Sequence, residues 1–241
     1  MSFSGLVVVI AALDEEMGIG PTIREMKDVL DDSRFVVVDG GSKDKTIDVA
    51  QTVGAEVFVQ KGRGKGDAVR QGLVQLHPDT RYVVFTDADY TYSVDKLKMM
   101  LSMLDRNPDV GMVLGDRFSH SFCIKALVNP FFVGNRFFAV VQKILNGLNL
   151  NDPLTGLRVV RYALLKGWSP ASDGFDIEAE LNHYVERMGY RIVEVPISYR
   201  RRLGKKKHGL WHGINILKRI IQESVTTQTF LDKKLVQQVF E

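Results

Sequence analysis

Two carboxylates spaced i, i+2 close an apolar run in this chain: Tyr82-Val83-Val84-Phe85-Thr86-Asp87-Ala88-Asp89. In extended backbone a period of two puts Asp87 and Asp89 on the same side. Two like charges so close raise each other's energy unless positive charge sits between them. Hard carboxylate oxygens suit a divalent cation and, through it, a phosphate-rich ligand. The same pair also suits a polar turn at a strand end. Further acidic residues close other apolar runs: Asp14 and Glu15, Asp39, and Asp116. Cations gather elsewhere. Gly62-Arg63-Gly64-Lys65-Gly66 interleaves glycine with base, a composition that lets backbone N–H groups approach an anion or that forms a plain surface loop. Arg200 to Lys207 holds six basic residues in eight. Such a run is either a solvated face or an arm that closes on diphosphate or on anionic lipid.

Two nucleotide-binding motifs are excluded. Asp67 stands after Gly66 where a P-loop needs Ser or Thr, and no G-x-G-x-x-G follows the first apolar run.

The elements that must position these residues alternate. Leu6 to Leu13 is a continuous apolar run, suited to a strand covered on both faces. A helix carrying Ile23, Met26, Val29 and Leu30 follows, opened by Gly20-Pro21. Phe35 to Val38 is a second strand, ending at Asp39; Ser42 is placed to cap the next helix, which Gly54 stops. Glu56 to Gln60, Tyr82 to Asp87 and Val110 to Gly115 read as further strands, separated by helices carrying Val69, Leu73 and Leu76, then Leu97, Met100, Leu101 and Leu104. This pattern predicts an α/β sheet, mainly parallel, whose ligand crevice lies beyond the carboxyl ends of its strands. The acidic strand ends should therefore converge.

The second half is less regular. Phe118 to Leu150 holds six of the thirteen phenylalanines together with Lys125, Arg136 and Lys143, which suits a core helix or one lying in a bilayer interface. Tyr190 to Tyr199 is a strand whose Pro196 predicts a sheet edge. With 241 residues and 45% hydrophobic composition the chain can build a sizeable core. No apolar run approaches the length of a membrane-spanning helix, no signal peptide is expected, and the lone Cys123 excludes an internal disulfide.

In this order and at these spacings, the motifs resemble the inverting family 2 glycosyltransferases of GT-A fold, and within them the polyprenyl-phosphate sugar synthases. The residues that carry the likeness are Val9 to Glu16, Val37-Val38-Asp39-Gly40-Gly41-Ser42-Lys43-Asp44-Lys45-Thr46, Gly64-Lys65-Gly66, Asp87-Ala88-Asp89, Asp152-Pro153-Leu154-Thr155-Gly156-Leu157-Arg158, Phe175-Asp176-Ile177-Glu178-Ala179-Glu180, and Val195 to Tyr199. The sequence departs from that pattern at Ala11 and Asp14, at Thr91, where many synthases carry Gln, and at Lys206.

The resemblance implies one GT-A domain over 1–241: a nucleotide-sugar-binding half (1–116), an acceptor-binding half (117–225) and a C-terminal tail (226–241). It implies that Ala12, Leu13 and Glu15 line the base pocket, that Asp39 contacts base or ribose, and that Lys65 lies near the nucleotide. Asp87 and Asp89 would hold Mg²⁺ or Mn²⁺ and the nucleotide sugar. Arg117, Arg136, Arg202 and Lys207 would hold the acceptor phosphate, with Asp89, Arg117 and Arg202 catalytic. The implied reaction is metal-dependent sugar transfer, with inversion, from a UDP- or GDP-sugar to a polyprenyl (dolichyl) monophosphate. The enzyme would sit peripherally on the cytoplasmic face of a membrane, directly or through a membrane partner protein, and would bind no nucleic acid. A phosphate nucleophile is already mostly dianionic at pH 7 and needs cations more than a base. A hydroxyl acceptor would need a base, with Asp152, Asp176 or Glu178 as candidates. The alternative acceptor is a small phosphorylated or hydroxyl compound. A nucleotidyltransferase and a non-catalytic binding subunit are further alternatives.

Overall fold

The computed structural model describes residues 4–30, 32–119, 130–204 and 211–240. Phe122, Cys123, Lys125 and Lys207 lie outside them. The described strands are β1 (Leu6–Ala12), β2 (Arg34–Asp39), β3 (Glu56–Val59), β4 (Tyr82–Asp87), β5 (Val110–Asp116), β6 (Arg158–Arg161) and β7 (Arg191–Pro196). They form one seven-stranded sheet in the order β3-β2-β1-β4-β6-β5-β7. The helices are α1 (Ile19–Val29), α2 (Thr46–Thr52), α3 (Gly64–Val74), α4 (Leu97–Arg106), α5 (Pro130–Asn146), α6 (Tyr162–Leu165), α7 (Ile177–Arg187) and α8 (Trp211–Phe240). This is the expected mixed, mainly parallel sheet flanked by helices, a GT-A, Rossmann-like arrangement.

The continuous apolar run of β1 has its reason in the two layers it divides. Leu6, Val8, Ile10 and Ala12 face one core with Ile19, Ile23 and Met26 of α1 and Leu97, Met100, Leu101 and Leu104 of α4. Val7 and Val9, one residue out of phase, face the other core with Ala68 and Val69 of α3 and Ile177, Leu181 and Val185 of α7. Fully shielded side chains such as Ile10, Ile23 and Leu101 each contribute about 1.5–3 kcal/mol by leaving water.

Local signals held with two shifts. Helix α1 starts at Ile19, because the Glu15 carbonyl accepts the Gly18 and Ile19 amides at 3.0 and 2.9 Å. Pro21 therefore falls inside the first turn, where its missing N–H costs nothing. The residue before α2 is Lys45, and the first amide of the helix, Thr46 N–H, is taken by the Asp44 carboxylate at 3.0 Å, while Ser42 is drawn to Asp39. Pro196 ends β7 at the sheet edge, as expected. The stretch from 226, expected as a tail, continues α8.

Register decides what meets what. β1 pairs in parallel with β2 and β4, setting Ala12 opposite Asp39 and Ala11 opposite Asp87. β6 alone runs antiparallel to its neighbours, with Arg158 opposite both Phe85 and Leu114. Its reversed direction delivers the preceding loop, Asp152 to Leu157, to the rim where the parallel strands end. A third, smaller core joins Ala179 of α7, Phe138 and Val141 of α5, and Ile216 and Ile220 of α8.

His183 lies buried beneath that helical layer, with the Asn146 amide 3.5 Å from Nδ1 and the Glu223 carboxylate 3.8 Å from Nε2. Burial, helped by the Arg187 charge, pushes its pKa down to about 4. In the unfolded chain the ring titrates near 6.5. The unfolded state thus takes up a proton first as the pH falls, so stability tied to the neutral ring is complete above that value and is lost on descent toward pH 4. The urea midpoint should drop across this window, and the drop should shrink in His183→Gln. Identical drops in both proteins would clear His183 of the effect.

Candidate active site

Asp87, at the carboxyl end of β4, is tied on both oxygens. Lys65 Nζ donates to Oδ1 at 2.5 Å, and the Tyr92 hydroxyl donates to Oδ2 at 3.2 Å. Tyr92 is itself fixed by the Gly156 amide, which donates to its oxygen at 2.7 Å. Gly156 is needed there: a Cβ would lie 2.4 Å from Asp87 Oδ2. Lys65 also meets Glu178 of α7 at 2.6 Å. Burial alone would lower the lysine's pKa, but Asp87 and Glu178 hold it above the ordinary value. Burial alone would raise that of Asp87, and the Lys65 charge outweighs it, leaving Asp87 below the usual carboxylate range.

The glycine-basic loop finds its reason here. Gly64 has φ +86°, and a Cβ on Gly64 or Gly66 would stand 2.2 Å from the Asp173 carbonyl or 2.1 Å from that of Ser172. The glycines admit the 172–174 segment against the start of α3, and this contact seats Lys65 between carboxylates from β4 and α7.

Asp89 is buried beside it. Its Oδ1 accepts the Thr91 amide at 3.2 Å and hydroxyl at 2.7 Å, and its Oδ2 faces Arg202 Nη1 at 3.4 Å. Burial, then the charge of Asp87, raises the Asp89 pKa. Thr91, at the position where the resemblance has Gln, is thus spent on orienting Asp89. Among the described residues no cluster of three or more His, Cys, Asp or Glu side chains is arranged to hold a metal. Asp89 and Asp87 can offer a hard cation carboxylate oxygens, and its remaining ligands would come from phosphate and water.

Arg202 also pairs with Glu15, joining the basic arm to the turn after β1. The arm is pinned along its length: Arg200 N donates to the Thr91 carbonyl at 2.7 Å, Leu203 N to that of Asp89 at 3.1 Å, and Arg200 pairs with Glu25 of α1 at 2.6 Å.

Two cavities open beside these groups. One, of about 430 Å³, is lined by Ala12, Leu13, Glu15, Gly40, Gln60 and Arg63 among others. The second, of about 620 Å³, is lined by Arg117, Phe131, Asn135, Tyr199, Arg201 and Glu178 among others. They share one wall: Lys65, Asp87, Asp89, Phe175, Arg202 and His212.

Other predicted residues fall differently. Arg117 lines the larger cavity, but its guanidinium is clamped by Asp152, with Nε to Oδ2 and Nη2 to Oδ1 both at 2.6 Å. Phe118, Phe131 and Tyr199 rings stand 5.1–5.4 Å from it. Arg136 lines neither cavity and reaches Asn151 at 3.4 Å. Asp39 is fully buried and lines neither cavity; its carboxylate accepts the Gly41 and Ser42 amides and the Ser42 hydroxyl. Asp116 makes the same turn with Phe118 and Ser119. Tyr92, Asn135, Gln60 and His212 are cavity residues that no sequence pattern singled out, and Tyr199 entered only as the end of the Val195 to Tyr199 motif. Each candidate base faces a cation, Asp152 with Arg117, Asp176 with Arg219 and Glu178 with Lys65, and of the three only Glu178 lines either of these cavities.

The sequence model described as Glycosyl transferase family 2 matches residues 7–165. The chain belongs to this family. A relative, the dolichyl-phosphate hexose transferase of Haloferax volcanii, is 35% identical over 86% of this chain and 87% of its own length. Glycosyltransferase AglJ of the same organism is 35% identical over 74% of this chain and 61% of its own. Among solved structures, glucosyl-3-phosphoglycerate synthase from Mycobacterium tuberculosis in complex with Mn²⁺, uridine diphosphate and phosphoglyceric acid matches with a TM-score of 0.74 at 20% identity, over 91% of this chain and 78% of that one. The same synthase with Mg²⁺ and uridine diphosphate matches at a TM-score of 0.71 and 22% identity. At these identities the likeness shows the fold. The expected cofactor, Mg²⁺ or Mn²⁺, is what those structures carry.

The family 2 glycosyltransferase therefore keeps its fold assignment, and its resemblance to polyprenyl-phosphate synthases is corrected. A solved structure that matches 91% of the chain holds phosphoglyceric acid, a small phosphorylated acid, where a polyprenyl phosphate was expected. The peripheral position on the cytoplasmic face of a membrane, and the membrane partner, fall with that acceptor. Those expectations rest on the aromatic stretch from Phe118, the basic arm and the C-terminal helix; within the stretch Phe118 and Phe132 are buried with ring centroids 5.1 Å apart, Phe118 and Phe131 close on Arg117, and Phe137 is exposed. Among the described residues no helix is long and apolar enough to cross a membrane.

Lys65→Met should leave the buried Glu178 and the half-buried Asp87 without their counter-charge and cost about 3 kcal/mol of stability, read by urea denaturation. A loss below about 1 kcal/mol would show that water reaches the triad in solution.

Proposed function

We propose that the protein transfers a sugar from a UDP-sugar to a small phosphorylated acid of the phosphoglyceric acid kind, with a divalent cation. The observation that carries this reading is the shared wall. Two cavities meet at Asp87, Asp89, Lys65 and Arg202, so a sugar leaving one chamber and an acceptor held in the other face each other across the carboxylates. The smaller chamber, built mainly from the segment before 117, is the donor half; the larger, built mainly from the segment after it, is the acceptor half.

Residue roles follow from placement. Ala12, Leu13 and Glu15 border the nucleoside. Asp89, with Asp87 behind it, holds the cation, which when bound stabilises the leaving diphosphate as a Lewis acid. Arg202 bridges Glu15 and Asp89 and is placed to swing its charge onto diphosphate or acceptor phosphate. Arg201 lines the acceptor chamber and has no ion-pair partner among the described residues, so it is available to an anion. Arg117 shapes the chamber floor with its charge matched by Asp152. Glu178 Oε2 is buried, lines the same chamber and has no hydrogen-bond partner among the described residues. A buried acceptor of this kind costs free energy until a donor reaches it, and a hydroxyl of sugar or acceptor supplies one. Support for the ligand classes comes from the matched synthase structures, which hold uridine diphosphate, UDP-glucose and phosphoglyceric acid.

Asp89→Asn should lower transfer about a hundredfold or more with an unchanged far-ultraviolet spectrum and melting temperature, and chelation should do the same to wild type. Full activity in the variant would remove Asp89 from the reaction. With labelled UDP-glucose and phosphoglyceric acid, label should appear in a water-soluble anionic product. Label that forms only with a lipid acceptor and extracts into organic solvent would overturn the acceptor assignment.

A further inference from the structure

Gln60, just past β3, forms one side of the smaller cavity. Its amide is unusually constrained. The backbone N–H donates to the Asp39 carbonyl at 2.7 Å. The side-chain Nε2 donates to the Gly64 carbonyl at 2.9 Å and to Asp67 Oδ2 at 2.8 Å. Both partners are pure acceptors, so the amide cannot be flipped, and both of its N–H groups are spent. Oε1 is left as a fixed acceptor. It faces the space above Gly40, where a Cβ would stand 3.3 Å from it and 3.5 Å from the Ala12 carbonyl and Leu13 Cβ. A ligand atom can occupy that space because residue 40 has no side chain. Asp39, the carboxylate expected to read the base, has its oxygens engaged by its own turn.

Resting on the reading of this cavity as the nucleoside site, we infer that Gln60 selects the base. Its Oε1 accepts a hydrogen bond from a ring N–H beside a carbonyl, a group that uracil and guanine carry and that cytosine and adenine lack. An acceptor locked toward the cavity rewards a ring N–H and penalises a bare ring nitrogen, whose lone pair it would face. Asp67, at the start of α3, sets this preference indirectly: it also receives the Gly62 amide at 3.1 Å and Gln71 Nε2 at 2.5 Å, fixing the loop that holds Gln60 in place.

The test is calorimetric titration of wild type and Gln60→Leu with UDP, GDP, CDP and N3-methyl-UDP, in Mn²⁺. Wild type should bind UDP on the order of tenfold more tightly than CDP or N3-methyl-UDP, and Gln60→Leu should lose that ratio. The KM for UDP-glucose should rise in the variant with kcat little changed, as for binding energy shared by ground and transition states. Tight UDP binding with no penalty for N3-methylation would overturn the role of Gln60 while leaving the donor site intact. A preference that survives in Gln60→Leu would do the same. Wild type that binds none of these nucleotides would overturn the donor-site reading and this inference together. GDP bound in preference to UDP, with sensitivity to Gln60, would support the N–H rule and move the donor to guanine. The wild-type comparison of UDP with its N3-methyl analogue decides the matter even if the variant does not fold.

Discussion

One buried cation holds the site together. Lys65 stands between Asp87 and Glu178 at 2.5 and 2.6 Å, and these carboxylates come from β4 and α7, elements on opposite sides of a long stretch of sequence. Removing three charged groups from water is expensive, and the arrangement is tolerable only because each carboxylate meets the same ammonium at hydrogen-bond distance. The consequence is positional. The start of α3, the end of β4 and the first turn of α7 cannot move apart without exposing an unpaired charge to a low-dielectric interior. The wall common to both cavities is built on this tie.

A second tie is made of backbone fit. Gly64 and Gly66 bring α3 against the 172–174 segment, and Gly156 brings the loop before β6 against Asp87. Arg158, fully buried, then holds that loop to α7, donating to the carbonyls of Pro153, Thr155 and Glu178 and to Asn182. A guanidinium surrounded by fixed carbonyls is satisfied in geometry and restricts every segment it touches. The smaller cavity thus inherits its shape from the parallel strands. The larger cavity inherits its shape from the irregular second half, which these contacts press onto the sheet.

The basic arm is the part made of exchangeable contacts. Its backbone follows residues 89–93, and its arginines pair with Glu15, Glu25 and Asp89. Those are charge pairs at a cavity mouth, where a phosphate can compete for the guanidinium. The arm therefore joins the two cavities, Glu15 and Asp89 through one side chain, Arg202. Arg117, by contrast, is committed to Asp152 and serves as scaffold.

Local patterning settled much of this protein. The apolar run of β1 required cover on both faces, the alternation of strands and helices required an α/β sheet, and Pro196 required an edge. Asp87 and Asp89 were legible because strand geometry alone places them together beyond a strand end. Sequence could not say which acidic ends face a ligand: Asp39 and Asp116 end their strands as Asp87 does, but each is consumed by a following Ser and amides within its own turn. That difference is one of local hydrogen bonding, invisible to spacing. Nor could it show that an antiparallel β6 carries Gly156 to Asp87, or that Lys65 neutralises Glu178 across more than a hundred residues. Those facts depend on register and close approach between distant segments, which only the folded chain decides. The aromatic stretch after Phe118 fits an interface with lipid as well as a cavity wall by composition. In the fold Phe131 and Phe138 line the larger cavity and Phe118 and Phe131 cover the desolvated Arg117 guanidinium, while Phe137 stays exposed.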